Sequence, residues 1–186
     1  MALLALFAIA AAPNVRQQAQ REREKEAVFR GEEVANAIWL YYQSHGQRGT
    51  PSLPTSMDQL LEGIPKGTKK VQILRPEAAV DPLTSNGEWR LISPTSQDFV
   101  QFVQAVTVYA GGTKPTTTNA SLQQFEPQLV NVLNTGSTST APGDEESSDN
   151  ITGPFIGVAS RSRRNSVITY YGIDRHDQWI FTPLFR

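Results

Sequence analysis

Residues 1–12, MALLALFAIAAA, carry no polar side chain, and from Arg16 the chain passes abruptly into dense charge with no strong break before Ser44. Pro13 and Asn14 mark the boundary. Arg16, Arg21, Glu22, Arg23, Glu24, Lys25, Glu26, Arg30, Glu32 and Glu33 follow, five positive and five negative. The stretch is rich in helix formers, and Glu22 with Lys25 and Glu26 with Arg30 stand at spacings that bring side chains together on a helix. From Ala27 an apolar stripe of Ala27, Gly31, Val34, Ile38 and Tyr41 steps by four and three, which marks one helix face that other protein must cover. Gly31 is the only turn-prone residue inside the run, and a long helix tolerates one. The pattern predicts a single helix to about residue 46, apolar at its start and amphipathic at its end.

Such a helix is about 65–70 Å long, more than a small domain is wide, so its front must project from the rest. An apolar projecting end needs lipid or other copies of itself. Twelve apolar residues cover about 18 Å against a bilayer core of about 30 Å, a deficit of roughly eight residues. A secretory signal peptide would begin with a basic segment, and none precedes Leu3; a cut after Ala10-Ala11-Ala12 would leave Pro13 in the next position. A buried core helix would need protein around it, and the charged continuation leaves little.

Composition excludes more than it selects. The 186 residues suit one domain, or one domain with an appendage. A formal charge of −1 and a pI near 6.1 give no global attraction to nucleic acid or anionic lipid. With no cysteine there is no disulfide scaffold, thiolate metal site or cysteine nucleophile, and two histidines, His45 and His176, exclude a His-rich metal site. The 13 Gly and 12 Pro indicate many loops.

Beyond the helix, Ser56 and Gln59 have capping-box spacing, with Leu60, Leu61 and Ile64 as a small apolar helix face. Near the C-terminus three β-prone runs show alternating faces: Ile156/Val158/Ser160, Val167/Thr169/Tyr171 and Trp179/Phe181, separated by short turns that suit an antiparallel meander. An apolar helix, a proline at its boundary, a charged stalk and an amphipathic second half together resemble the N-terminal helix of type IV pilins and type II secretion pseudopilins, where a proline often kinks the helix as Pro13 would. The run Leu53-Pro54-Thr55-Ser56-Met57-Asp58-Gln59-Leu60-Leu61 resembles that family's "YPTS…L..L" turn and helix. Asp81-Pro82-Leu83 through Gly87-Glu88-Trp89-Arg90-Leu91 is similar to its "DPWG.PY.Y" segment, a turn into the first strand of the head. The span from Phe155-Ile156-Gly157-Val158-Ala159-Ser160-Arg161-Ser162 through Ser166-Val167-Ile168-Thr169-Tyr170-Tyr171-Gly172 to Asp177-Gln178-Trp179-Ile180-Phe181 resembles the ending "GVaS.S…SI..Y.G….Y.eW.F". The resemblance covers residues 1–93 and 154–186, roughly two-thirds of the chain, and rests on the order of motifs that are each weak alone.

The resemblance implies an α+β, pilin-like fold, with a long N-terminal α-helix packed on a small antiparallel sheet of about three to five strands. It implies a structural subunit of a secretion pseudopilus, not an enzyme, held in the bacterial inner membrane as a single-pass protein through Leu3, Leu4, Leu6, Phe7, Ile9 and Pro13. The head would stand in the periplasm or on an extracellular filament. Partners would be other pilin or pseudopilin subunits, the inner-membrane assembly machinery and the membrane, with no nucleic acid. A minor pilin for adhesion or uptake shares this fold, and a secreted ligand-binding domain is the alternative of a different class. The family's processing glycine and early glutamate have no counterpart here, so neither role is carried over; the apolar deficit leads to the expectation that Met1 lies inside a longer natural helix.

Three parts are expected: the helix over 1–46 (apolar 1–13, amphipathic 14–46), a head from 51–93 and 154–186, and a helical insertion over 94–153. In the insertion, Ser96 caps a pattern of Phe99, Phe102, Val103, Val106 and Tyr109 that Gly111-Gly112 stops, and a second pattern of Leu122, Phe125, Leu129, Val132 and Leu133 is interrupted at Pro127. Residues 134–153 are polar, acidic and of low complexity, and are expected to form a disordered or mobile loop. The core between helix and sheet is expected from Val34, Ile38, Tyr41, Trp89, Trp179 and Phe181, with Trp39 among the aromatics.

Candidate chemistry is sparse. No nucleophile–base pair, phosphate loop or Rossmann glycine pattern stands in the sequence. His45 and His176, at a helix end and a hairpin turn, suit surface or structural roles. Asp144, Glu145, Glu146 and Asp149 are the one place for calcium, which some pseudopilins bind, but their spacing fits no EF-hand and suits a solvated acidic linker. Arg161, Arg163 and Arg164 suit an exposed basic turn rather than a nucleic-acid contact. Deleting residues 1–25 is expected to leave a soluble, monomeric head.

Overall fold

The computed structural model describes residues 2–46, 52–112, 117, 122 and 153–185, with side chains from residue 15 onward. One helix, α1, runs Ala2–Gly46 without interruption at Pro13. A short helix α2 (Met57–Glu62) leads into a hairpin of β1 (Ile64–Lys66) and β2 (Lys69–Val71). Strand β3 (Arg90–Ile92) precedes helix α3 (Gln97–Tyr109), and the C-terminal part supplies β4 (Gly157–Ala159), β5 (Asn165–Tyr170), β6 (Ile173–Arg175) and β7 (Ile180–Phe181). The chain is α+β, with its antiparallel strands gathered against a long helix.

The strands do not form the single meander expected. The central sheet has the order β3-β4-β7, in which Leu91 faces Val158 and Val158 faces Phe181, while β5 and β6 leave it as a separate hairpin and β1-β2 form another. The β5-β6 hairpin packs on α1, so β4 finds its partner in β7. The expected alternation is absent from β4, where Gly157, Val158 and Ala159 are all buried, because that strand is central in its sheet and lies against α1.

On α1 the buried positions are Glu24, Ala27, Gly31, Val34, Ala35, Ala37, Ile38 and Tyr42. Of these, Val34, Ala35, Ala37, Ile38 and Tyr42 share one continuous core with Leu60, Leu74, Trp89, Phe99, Phe102, Val158, Trp179 and Phe181, and Gly31 lies against the Phe181 ring. Tyr41, expected in that core, is only partly buried: its hydroxyl meets Gln59 at 3.3 Å and its ring stacks on His45 at 4.0 Å. The four-residue step from Ile38 puts Tyr42 inside instead, 3% exposed. Trp89 and Trp179 are buried with their indole N–H groups donating to the carbonyls of Ala78 and Ile173 at 3.0 and 2.9 Å. Trp39 packs at the edge, partly buried.

Local signals hold at the start of α3 and differ from expectation at both ends of α2. Ser96 caps α3 by accepting from the Phe99 N–H at 3.3 Å. Ser56 makes no side-chain cap on α2; Gln59 alone reaches back, accepting the Thr55 N–H at 2.8 Å. Ile64, expected on the apolar face of that helix, opens β1, because Gly63 with φ of 76° turns the chain out of the helix. Of the second apolar pattern only Leu122 is described, and it is buried; Phe125, Leu129, Val132 and Leu133 lie outside the described residues, as does the polar segment 134–152.

Candidate functional site

The docking of α1 onto the head is built around a carboxylate. Glu24 is fully buried and accepts from four groups: the Val167 and Ile168 N–H at 3.0 and 2.9 Å, Gln20 Nε2 at 2.7 Å and His176 Nε2 at 3.0 Å. Successive N–H groups of a regular strand point to opposite edges. The pairing irregularity between Asn165 and Tyr170 accompanies the turning of two adjacent ones toward Glu24. The carboxylate thus takes the place of a neighbouring strand for β5. Gln20 extends the contact by donating to the Asn165 carbonyl at 3.0 Å.

From Glu24 the network runs through the ring of His176, 2% exposed and edge-on to Trp179 at 5.1 Å. Since a carboxylate only accepts, Nε2 carries a proton, and in the neutral ring Nδ1 accepts from the Ser162 hydroxyl 3.2 Å away. The Ser162 N–H donates to Ser160 Oγ at 3.0 Å, and the Ser160 hydroxyl donates to Asp81 Oδ2 at 2.7 Å. Asp81 also accepts the Leu83 N–H at 2.9 Å, closing the turn before β3. One buried chain of hydrogen bonds therefore ties α1 to the β4–β5 connection, to the 3₁₀ turn His176–Gln178 and to the Asp81 turn.

The electrostatics follow from this geometry. Burial pushes the Glu24 carboxyl up, but the Ile168 N–H, His176, the Val167 N–H and Gln20 together outweigh it and hold the group below the usual carboxylate range. Farther along α1, Glu32 accepts from the Tyr170 hydroxyl at 2.6 Å, and burial first, then the Glu32 charge, pushes that phenol far up. Arg75 Nε donates to Glu33 at 2.9 Å, and that bond holds Glu33 low. Arg30 pairs with Glu26 and reaches the Val80 carbonyl at 3.2 Å. Much of the charged stalk is thus contact surface for the head.

Ser162, His176 and Glu24 stand in the order nucleophile, base, orienting acid, which makes them chemically a proton relay. Ser162 is nine-tenths buried with its N–H committed to Ser160, and all three residues hold separate elements together. The arrangement satisfies the polar groups that α1 would otherwise bury bare.

The expected site residues fall as follows. Val34, Ile38, Trp89, Trp179 and Phe181 share the buried core and Tyr41 lies at its edge. Leu3, Leu4, Leu6, Phe7, Ile9 and Pro13 stand on α1, but their side chains lie outside the described residues. Among the described residues no helix is long and apolar enough to cross a membrane. Asp144, Glu145, Glu146 and Asp149, the candidate calcium run, lie outside the described residues, and within them no group of three His, Cys, Asp or Glu side chains could hold a metal. Arg161 is partly buried, while Arg163 and Arg164 are exposed. His176 is a buried structural residue and not part of an open turn; His45 is half-buried at the end of α1. Glu24 was missed. Its signal was phase: Gln20 and Glu24 continue the Ala27–Gly31–Val34 stripe backward by the same steps of four and three.

No protein-family model, no curated protein and no solved structure matches this chain.

Proposed function

We propose that this chain is a pilin-like structural subunit, which packs into a filament through the N-terminal part of α1 while the head stays outside. The observation that carries the reading is the mismatch between helix and head. At 45 residues α1 is about 67 Å long, while the positions buried by the head run only from Glu24 to Tyr42. Val15 to Ala19 are exposed at five successive positions, more than a full turn, so the helix leaves the head before it ends. The apolar run Leu3–Ile9 lies beyond that turn. An apolar helix segment led away from its own core is suited to a bilayer or to a bundle of like helices. Secretion-type assembly is the favoured form, on the order of the motifs at residues 53–61, 81–91 and 155–181.

The test is fractionation of cells producing the protein from its native locus, combined with Val15→Cys/Ala19→Cys cross-linking. Retention in membranes after a carbonate wash, with a ladder of cross-linked oligomers, is expected. A soluble monomer that keeps its N-terminal segment and forms no ladder overturns the reading in favour of a secreted domain.

A further inference from the structure

Beside the buried network lies a cavity of about 310 Å³. Arg16 and Arg23 reach it from α1 and Arg164 from the β4–β5 connection, with Ser162, His176 and Pro82 in its wall. All three arginines are exposed, and none is ion-paired with a described residue, whereas Arg30, Arg75, Arg90 and Arg175 each have a carboxylate. Glu24, the acidic group nearest in the network, already accepts from four donors. Three arginines without an ion pair to a described residue thus line one cavity, in a chain whose net charge is −1.

Two of the three backbones that carry them, those of Arg23 and Arg164, are anchored. The Arg164 carbonyl accepts the His176 N–H at 3.2 Å, and Arg23 adjoins Glu24, which is fixed to β5. Guanidinium groups are planar forks that match phosphate oxygens in pairs, and three of them offer more donors and charge than one carboxylate can use. The volume is near the lower end of small-ligand sites, enough for a phosphate and a short substituent. We propose that the cavity formed by Arg16, Arg23 and Arg164 between α1 and the β4–β5 connection binds a phosphate group, carried by a free phosphate or by an anionic phospholipid headgroup.

The lipid source, unlike the phosphate recognition itself, rests on the membrane reading above. Arg16 is four residues, about 6 Å of helix rise, past Ala12, where the apolar run ends. With that run in the hydrocarbon Arg16 would stand at the height of the headgroups, a layer of about 5–8 Å per leaflet, while Arg23, about 16 Å past Ala12, would stand outside it.

The test is calorimetric titration of the full chain in nonionic detergent with inorganic phosphate, with short-chain phosphatidic acid and with short-chain phosphatidylcholine, using acetate at equal ionic strength as reference. Phosphate or phosphatidic acid should bind and acetate should not. Arg23→Ala/Arg164→Ala should weaken binding by about tenfold or more, and Arg23→Lys/Arg164→Lys, which keeps charge but loses the fork, should fall between. Phosphatidic acid binding tighter than inorganic phosphate identifies the lipid source; equal affinity identifies free phosphate. If the alanine pair loses its cooperative melt, Arg16→Ala, on the exposed turn of α1, carries the same readout. Absence of binding by both phosphates, or wild-type affinity in a folded arginine-to-alanine variant, overturns the assignment. Phosphate binding by a chain that fails membrane retention would leave this site standing and remove the anchored reading.

Discussion

The ring of Phe181 occupies the space where a methyl group on residue 31 would have to go. A Cβ built on Gly31 would lie 2.2 Å from Phe181 Cδ2, and one on Gly157 would lie 2.7 Å from the Phe181 carbonyl oxygen. Helix propensity alone favours Gly31→Ala by up to about 1 kcal/mol, while overpacking a buried ring costs about 1–3 kcal/mol. At so close an approach the upper end of that cost applies, so a net loss of roughly 2 kcal/mol is expected in chemical melts, and a stabilising result would mean Phe181 does not sit against α1. The sequence shows Gly31 only as a tolerated residue, since what makes it necessary arrives 150 positions later. Glu24 was illegible for a similar reason: one carboxylate among ten alternating charges looks solvated until β5 brings it two N–H groups. Glu24→Gln should cost about 1–3 kcal/mol near neutral pH, because a neutral amide satisfies those donors less well. The four donors hold the folded-state pKa of Glu24 below its unfolded value. Its contribution is therefore full above the unfolded value and is lost as pH falls through the lower, folded one. The gap between wild type and Glu24→Gln in urea melts should begin to narrow as pH falls past the unfolded value and close once pH is below the folded one. A gap that stays constant in acid would show that the charge on Glu24 is not what the strand uses.

Among the elements, the two longer helices were legible and most strands were not. A period near 3.6 persists through the 13 residues of α3 and through the covered part of α1, and the Ser96 cap and Gly111-Gly112 stop stand in the sequence as they do in the fold. Strands of two or three residues hold too little alternation to declare a face, and β4, buried throughout, has none to show. Which strands pair is harder still, because β4 passes over the adjacent hairpin to meet β7. On α3 burial divides the apolar positions. Phe102 is 3% exposed, with its ring centroid 6.5, 6.1 and 6.0 Å from those of Tyr170, Tyr171 and Phe185. Tyr109 is 66% exposed at the far end. Phe102→Ala should therefore cost about 3–5 kcal/mol, and Tyr109→Ala under about 1 kcal/mol. Thermal melts giving the two equal costs would show that α3 is not seated on the hairpin by this face.

For the whole molecule, the consequence of these contacts is where the head begins. Composition places the boundary near residue 25, the point after which the apolar stripe starts, and on that basis deleting residues 1–25 looks harmless. The structure moves the boundary back by more than a turn. Gln20 and Glu24 belong to the head, and removing them would leave the Val167 and Ile168 N–H groups and the His176 ring without their partners on α1. Buried donors stranded in this way cost about 1–3 kcal/mol each, a large share of the roughly 5–15 kcal/mol that holds a domain of this size. Two truncations that differ by six residues should therefore behave differently. Deleting residues 1–19 removes the apolar run and the exposed turn Val15–Ala19 while keeping every buried position of α1, and should yield a soluble head with a cooperative melt. Deleting residues 1–25 should lower the midpoint of that melt markedly or abolish it, although four of the six further residues, Arg21, Glu22, Arg23 and Lys25, are exposed. Restoring Gln20 to Lys25 with Glu24 replaced by Ala should recover little of the loss, because the missing partner is the carboxylate and not the extra turn of helix. Equal stability of the two truncations would mean that α1 is held by its apolar stripe alone.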